Sequence, residues 1–122
     1  MSNKKKTLII GASENPERYA NKAFHSLTQH GHPLVMLANK EGKIDEVIIH
    51  KGFPNVEELD TITLYINPKN QEPYYDYLIS LKPKRIIFNP GTENPVLEAK
   101  AMHHGIEAVE ACTLVLLSIG AY

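Results

Sequence analysis

The stretch Leu8-Ile9-Ile10-Gly11-Ala12-Ser13-Glu14-Asn15-Pro16-Glu17-Arg18 sets the expectation for the fold. A strand with one face in water alternates apolar and polar residues; Leu8-Ile9-Ile10 does not alternate, so it predicts a short strand buried on both faces, ended by Gly11. The residues that follow predict a helix start, with Asn15 as N-cap, Pro16 at the first helical position and acids in the first turn. Ala20, Ala23, Phe24 and Leu27 then fall at i, i+3, i+4 and i+7, one face of that helix. Gly31 supplies the stop, and Leu34 to Ala38 reads as a second strand.

The same unit repeats along the chain. Ile62 to Ile66 reads as a third strand ending at Asn67-Pro68. Tyr74, Tyr77, Leu78 and Leu81 make the next inward helical face, Tyr75 points outward, and Pro83 closes the helix. Arg85 to Phe88 is a fourth strand, stopped by Asn89-Pro90-Gly91. Asn94-Pro95 opens another helix, with Leu97, Ala101 and Met102 inward and Gly105 at its end. Glu107 to Ala111 is a last strand, and Thr113 to Ile119 a short terminal helix. Residues 39–60 are less regular and read as a small hairpin or a short extra strand around Glu46-Val47-Ile48-Ile49. Strands alternating with helices predict an α/β class: a Rossmann-like three-layer domain with a mainly parallel sheet of about five strands.

With 122 residues, the chain is expected to be one domain over 1–122. Thirteen Lys+Arg against fourteen Asp+Glu leave no basic excess of the kind nucleic-acid binding needs. The one cysteine, Cys112, has no internal disulfide partner, and no Cys/His spacing reads as a metal site. Met1 to Lys6 is basic like a signal-peptide n-region, but the apolar run behind it, Thr7 to Ile10, falls short of an h-region of roughly 7–15 residues. No run approaches the roughly 20 apolar residues of a membrane span, and the expectation is a cytoplasmic protein without a membrane partner.

In open α/β sheets, ligands bind beyond the carboxyl ends of the strands, where strand order changes direction. The informative residues are therefore Gly11-Ala12-Ser13-Glu14-Asn15-Pro16 after the first strand, Asn67-Pro68-Lys69-Asn70 after the third, and Asn89-Pro90-Gly91-Thr92-Glu93-Asn94-Pro95 after the fourth. Small residues let a ligand approach the backbone there, and the free N–H groups of a first helical turn favour an anion. The usual three-glycine dinucleotide fingerprint is absent, since Ser13 and Pro16 stand where the second and third glycines would be. Where an NAD-binding strand would end in an acid, the chain reads Ala38-Asn39-Lys40. A lysine suits an extra phosphate on the ribose, as in NADP or coenzyme A, and Arg18 is placed to meet a diphosphate.

The run Leu8-Ile9-Ile10-Gly11-Ala12-Ser13-x-x-Pro16-x-Arg18 resembles the opening of the CoA-binding domain family, small Rossmann-like proteins similar to the N-terminal domain of the succinyl-CoA synthetase α subunit. Asn67-Pro68, Asn89-Pro90-Gly91 and Cys112 continue the resemblance in order along nearly the whole chain. It implies coenzyme A or an acyl-CoA as ligand, with Gly11, Ala12 and Ser13 at the diphosphate and Arg18 assisting. Asn39 and Lys40 would lie near the ribose phosphate, and Asn67, Pro68, Pro90 and Gly91 along the adenine and pantetheine path. The chain departs from the family pattern where Asn39 is followed by Lys40 instead of Pro, and where Thr113-Leu114-Val115-Leu116 follows Cys112.

Catalytic constellations are weaker. Cys112 reads as a small core residue, and His103, His104 and His30 as helix C-terminal residues complementing the dipole. Glu57, Glu58 and Asp60 read as solvated surface. The apolar Leu114-Val115-Leu116-Leu117 either caps the sheet or forms part of an interface with a second copy or another protein. The sequence thus points to a non-catalytic domain binding a small nucleotide ligand, coenzyme A or an acyl-CoA, without a metal. Its alternatives are a protein-interaction domain that has lost its ligand and an enzyme component using NADP or CoA.

Overall fold

A computed structural model describes residues 4–122, and the opening Met1-Ser2-Asn3 of the basic stretch lies outside them. The chain runs β1 (Thr7–Ile10), α1 (Tyr19–Gln29), β2 (Leu34–Leu37), β3 (Gly42–Ile44), β4 (Val47–His50), β5 (Thr61–Leu64) and α2 (Pro68–Gln71). A 3₁₀ turn (Glu72–Tyr74), α3 (Tyr75–Ser80), β6 (Arg85–Phe88), α4 (Pro95–His103), β7 (Glu107–Glu110) and α5 (Thr113–Ser118) complete it. The sheet has seven strands in the order β3-β4-β2-β1-β5-β6-β7. All neighbours are parallel except the β3–β4 hairpin, so six parallel strands carry one antiparallel edge strand. The parallel part, β4-β2-β1 on one side and β5-β6-β7 on the other, is the doubly wound Rossmann order.

The expected sheet of about five strands is thus two short. The two further strands are the hairpin, one of the two readings given for residues 39–60, and its two-residue turn Asp45-Glu46 has φ of +50° and +62°. That turn geometry normally advertises itself as Asn-Gly or Asp-Gly, and Asp-Glu hides it. A second difference lies at α1. Instead of capping the helix, the Asn15 side chain accepts from the Glu17 N–H (2.9 Å), and its carbonyl accepts from the Arg18 N–H (3.0 Å). This Asx turn consumes Asn15 to Arg18, and the helix begins at Tyr19 with Arg18 as its N-cap. The helix expected around Tyr74 to Leu81 begins earlier, at Pro68, and is broken into α2, the 3₁₀ turn and α3.

Both faces of the sheet are covered, which is why β1, β5 and β6 read as apolar runs. Leu8, Ile10, Ile62, Leu64, Ile86 and Phe88 point to the face closed by Leu78 of α3, Leu97 and Ala101 of α4, and the loop residues Val56 and Leu59. Ile9, Met36 and Ile87 point to the opposite face, closed by Ala20, Ala23, Phe24 and Leu27 of α1 and Leu117 of α5. Met102, expected inward, is 62% exposed, because α4 offers the sheet only the narrow stripe Leu97–Ala101. Tyr75, expected outward, packs against the first face, and its hydroxyl accepts from Asn94 Nδ2 at 2.8 Å. No helix among the described residues is long and apolar enough to cross a membrane.

Candidate functional site

The register puts Ile10 opposite both Leu37 and Leu64, and Leu64 opposite Phe88, so the strands end together and their following loops share one edge. β1 and β5 are the strands where connections change direction, the place where this architecture leaves a crevice. A cavity of about 1090 Å³ lies there, at the upper end of the range for small-molecule sites.

Gly11, Ala12 and Ser13 form its floor. Gly11 has φ of +94°, and its N–H and that of Ala12 both donate to the Leu37 carbonyl. The next turn is held from two sides. Buried Asn21, on the inner face of α1, donates from Nδ2 to the Ser13 carbonyl (2.9 Å), and the Glu14 carboxylate accepts from the Lys43 N–H of β3 (3.1 Å). The hairpin is thereby tied to the floor of the cavity. Arg18, Tyr19 and Ala20, the N-cap and first two residues of α1, also line it.

The wall on the other side is braced by buried carboxamides. Gln71 donates from Nε2 to the carbonyls of Ile66 (2.9 Å) and Thr92 (2.8 Å), and accepts at Oε1 from Asn94 Nδ2 (2.9 Å). Asn89 donates from Nδ2 to Thr63 Oγ1 and the Leu64 carbonyl, and its Oδ1 accepts from the Thr113 N–H. These bonds join the loops after β5 and β6 into one piece. Both carboxamides use donor and acceptor, so the network is rigid rather than reactive.

The helix entrances differ in a way that decides where an anion can bind. Asn67 caps α2 through the Asn70 N–H, and Asn94 caps α4 through the N–H groups of Val96 and Leu97. The N-cap of α1, Arg18, makes no side-chain cap bond; the Asn21 N–H closes on the Arg18 carbonyl (3.1 Å), and the N–H groups of Tyr19 and Ala20, at the positive end of the helix, lie at the cavity without a side-chain cap. Among the loop residues singled out from the sequence, the cavity gathers Gly11, Ala12, Ser13, Arg18, Asn39, Asn67, Asn70, Pro90, Gly91 and Thr92. Exposed Lys40 and half-buried Pro68 do not line it.

Sequence reading missed several lining residues: Glu17, Tyr19, Lys51, Gly52, Phe53 and Tyr74. Lys51, Gly52 and Phe53 follow β4, so recognising Val47–His50 as a parallel strand would have placed their loop on the same edge. Tyr65 lines the cavity as well, and burial pushes its phenol up to about 12. Its hydroxyl is shielded and lies beside Thr63 and Thr113 without hydrogen-bond geometry to either. Among the described lining residues there is no Cys, His or Asp, and no cluster of described side chains can hold a metal. Cys112 is half-buried at the N-cap of α5.

The chain is similar to a crystal structure of an uncharacterized protein, with 49% identity and a TM-score of 0.96, covering 99% of this chain and all of that one. A hypothetical protein from Pyrococcus horikoshii matches at 24% identity and TM-score 0.83, covering 93% of this chain and 81% of that one. A Thermus thermophilus protein matches at 16% identity and TM-score 0.84, covering 98% and 91%. At those identities, the last two speak for the fold alone. No curated protein matches the chain. The CoA binding domain family matches residues 5–118, and on that extent the chain, with its uncapped helix entrance at the crevice of a Rossmann sheet, belongs to that family.

Proposed function

We propose that the protein binds coenzyme A or an acyl-CoA in the cavity above β1 and β5 and carries out no chemistry on it. The observation that carries this reading is the α1 entrance: unlike α2 and α4, whose asparagine N-caps close their first turns, it has no side-chain cap, and its N-cap residue is the cation Arg18. Oriented N–H groups and a guanidinium together match a diphosphate. The groove leading from it past Asn67, Pro90, Gly91 and Thr92 is lined by small and amide side chains, suited to a pantetheine arm.

The test is thermal unfolding of the purified protein with CoA, acetyl-CoA, NAD, NADP and ATP. At 100 times its dissociation constant a ligand adds about 2.7 kcal/mol, which for a chain of this size is a rise of about 10 °C. A rise with CoA and acetyl-CoA that NAD and ATP do not reproduce is the expected outcome. A flat panel refutes the reading and favours an interaction domain without a ligand. Turnover of a CoA thioester by the purified protein refutes the non-catalytic part.

A further inference from the structure

The loop after β4 carries an aromatic side chain that the fold itself does not use. Phe53 is 60% exposed, yet its position is fixed: its ring meets Tyr77 edge-on at 5.2 Å and Tyr74 at 5.6 Å. The loop beneath it is pinned where the Tyr77 hydroxyl donates to the Pro54 carbonyl. Phe53 and Tyr74 both line the cavity, and so does Lys51, which makes no ion pair among the described residues. β4 lies two strands from β1, so this loop starts roughly 10 Å from the Gly11 turn. That is about the reach of one nucleoside beyond a diphosphate seated at α1. A flat aromatic face beside a free cation, at that reach, is suited to a base and a phosphate on its ribose.

We infer that Phe53, backed by Tyr74, stacks the base of the ligand, and that Lys51 binds the phosphate on its ribose. This rests on the CoA reading above, and it assigns the recognition of the 3′-phosphoadenosine end to the loop after β4 instead of to Lys40. Phe53 and Lys51 are exposed, so their alanine variants keep the fold, checked by an unchanged unfolding midpoint.

The experiment is calorimetric titration of wild type, Phe53→Ala, Lys51→Ala and Lys40→Ala with CoA, 3′-dephospho-CoA, adenosine 3′,5′-bisphosphate and 4′-phosphopantetheine. Phe53→Ala weakens CoA and the bisphosphate at least about fivefold and leaves 4′-phosphopantetheine unchanged. Lys51→Ala removes the preference for CoA over 3′-dephospho-CoA, and Lys40→Ala retains it. Wild-type affinity for CoA in Phe53→Ala, or a preserved preference in Lys51→Ala, overturns this inference and leaves the CoA reading standing. Wild type that binds the bisphosphate but not CoA overturns the CoA reading and keeps the base wall. Binding of none overturns both.

Discussion

Replacing Gly11 by alanine tests the close approach of backbone that builds the crevice. Gly11 has φ of +94°, and a Cβ there would sit 2.8 Å from Ile66 Cγ2 and 2.9 Å from the carbonyl carbon and oxygen of Tyr65. Ile66 can rotate away. The Tyr65 carbonyl is backbone and has less freedom, since the preceding peptide is held where the Tyr65 N–H donates to the Ile10 carbonyl at 2.8 Å and extends the β1–β5 ladder. Gly91 is the matching control: its φ is +91°, and nothing lies within 4 Å of a built Cβ. At both positions the backbone conformation costs a side chain about 1–3 kcal/mol, of which about 0.4–1 is offset by a stiffer unfolded chain. Only Gly11 adds steric overlap, about 1–3 kcal/mol more.

The expected losses are therefore about 1–2 kcal/mol for Gly91→Ala and about 2–5 for Gly11→Ala. Urea unfolding followed by far-UV circular dichroism reads both, since the chain has no tryptophan to report. A gap between the two variants below about 0.5 kcal/mol refutes the reasoning. So does a Gly11→Ala/Ile66→Ala double variant in which the coupling between the two sites cancels the whole overlap cost, since the backbone carbonyl would then be no obstacle.

Other expectations follow from single contacts. Tyr65, its phenol pushed up to about 12 by burial, stays neutral in the fold while the unfolded chain ionises near 10. Its stabilisation is complete below pH 10 and is lost as the pH rises from 10 towards 12, on the order of 2 kcal/mol; urea unfolding at pH 9 and 11.5 reads it, and an equal fall in Tyr65→Phe refutes it. Asn94→Ala uncaps α4 and strands the Gln71 Oε1 acceptor, costing about 2–3 kcal/mol in chemical denaturation. Asn15→Ala breaks an exposed turn bond and costs under about 1 kcal/mol, and a larger loss would mean that it caps α1 after all. Arg18→Ser gives α1 a side-chain cap and stabilises it by about 0.5–1 kcal/mol while CoA affinity falls; a variant that gains stability with unchanged affinity refutes the role given to this helix entrance.

Much of the parallel sheet was legible because burial on both faces leaves an unmistakable mark. Leu8-Ile9-Ile10 and Arg85-Ile86-Ile87-Phe88 carry that mark, and both are strands flanked by covered faces. The hairpin was legible only as an alternative to a single extra strand, and the place of β4 in the parallel sheet was not, because Val47-Ile48-Ile49 lies at the rim with Ile48 58% exposed and an Asp-Glu turn gives no glycine signal. That gap also hid Lys51 and Phe53. The turn at Asn15 misled for a different reason. Asn-Pro-Glu satisfies the chemistry of a helix cap and of an Asx turn equally, and here the Asn15 side chain closes on the Glu17 N–H as an Asx turn.

The buried amides explain why the first loop, and neither of the other two, is the place for an anion. Gln71, Asn89 and Asn94 absorb the carbonyls and N–H groups of the loops after β5 and β6, leaving those loops stiff and with few donors to offer. Asn67 and Asn94 then close the entrances of α2 and α4 with their own side chains. At α1 the polar side chains that would make a cap are turned elsewhere: Ser13 Oγ accepts from the Asn15 N–H, Asn15 from Glu17, and Glu14 from Lys43. Each of these holds the loop in shape while leaving the helix end open. A loop ordered by its own side chains, around a helix end they do not reach, is rigid before any ligand arrives, and preorganised donors bind an anion without the cost of arranging them.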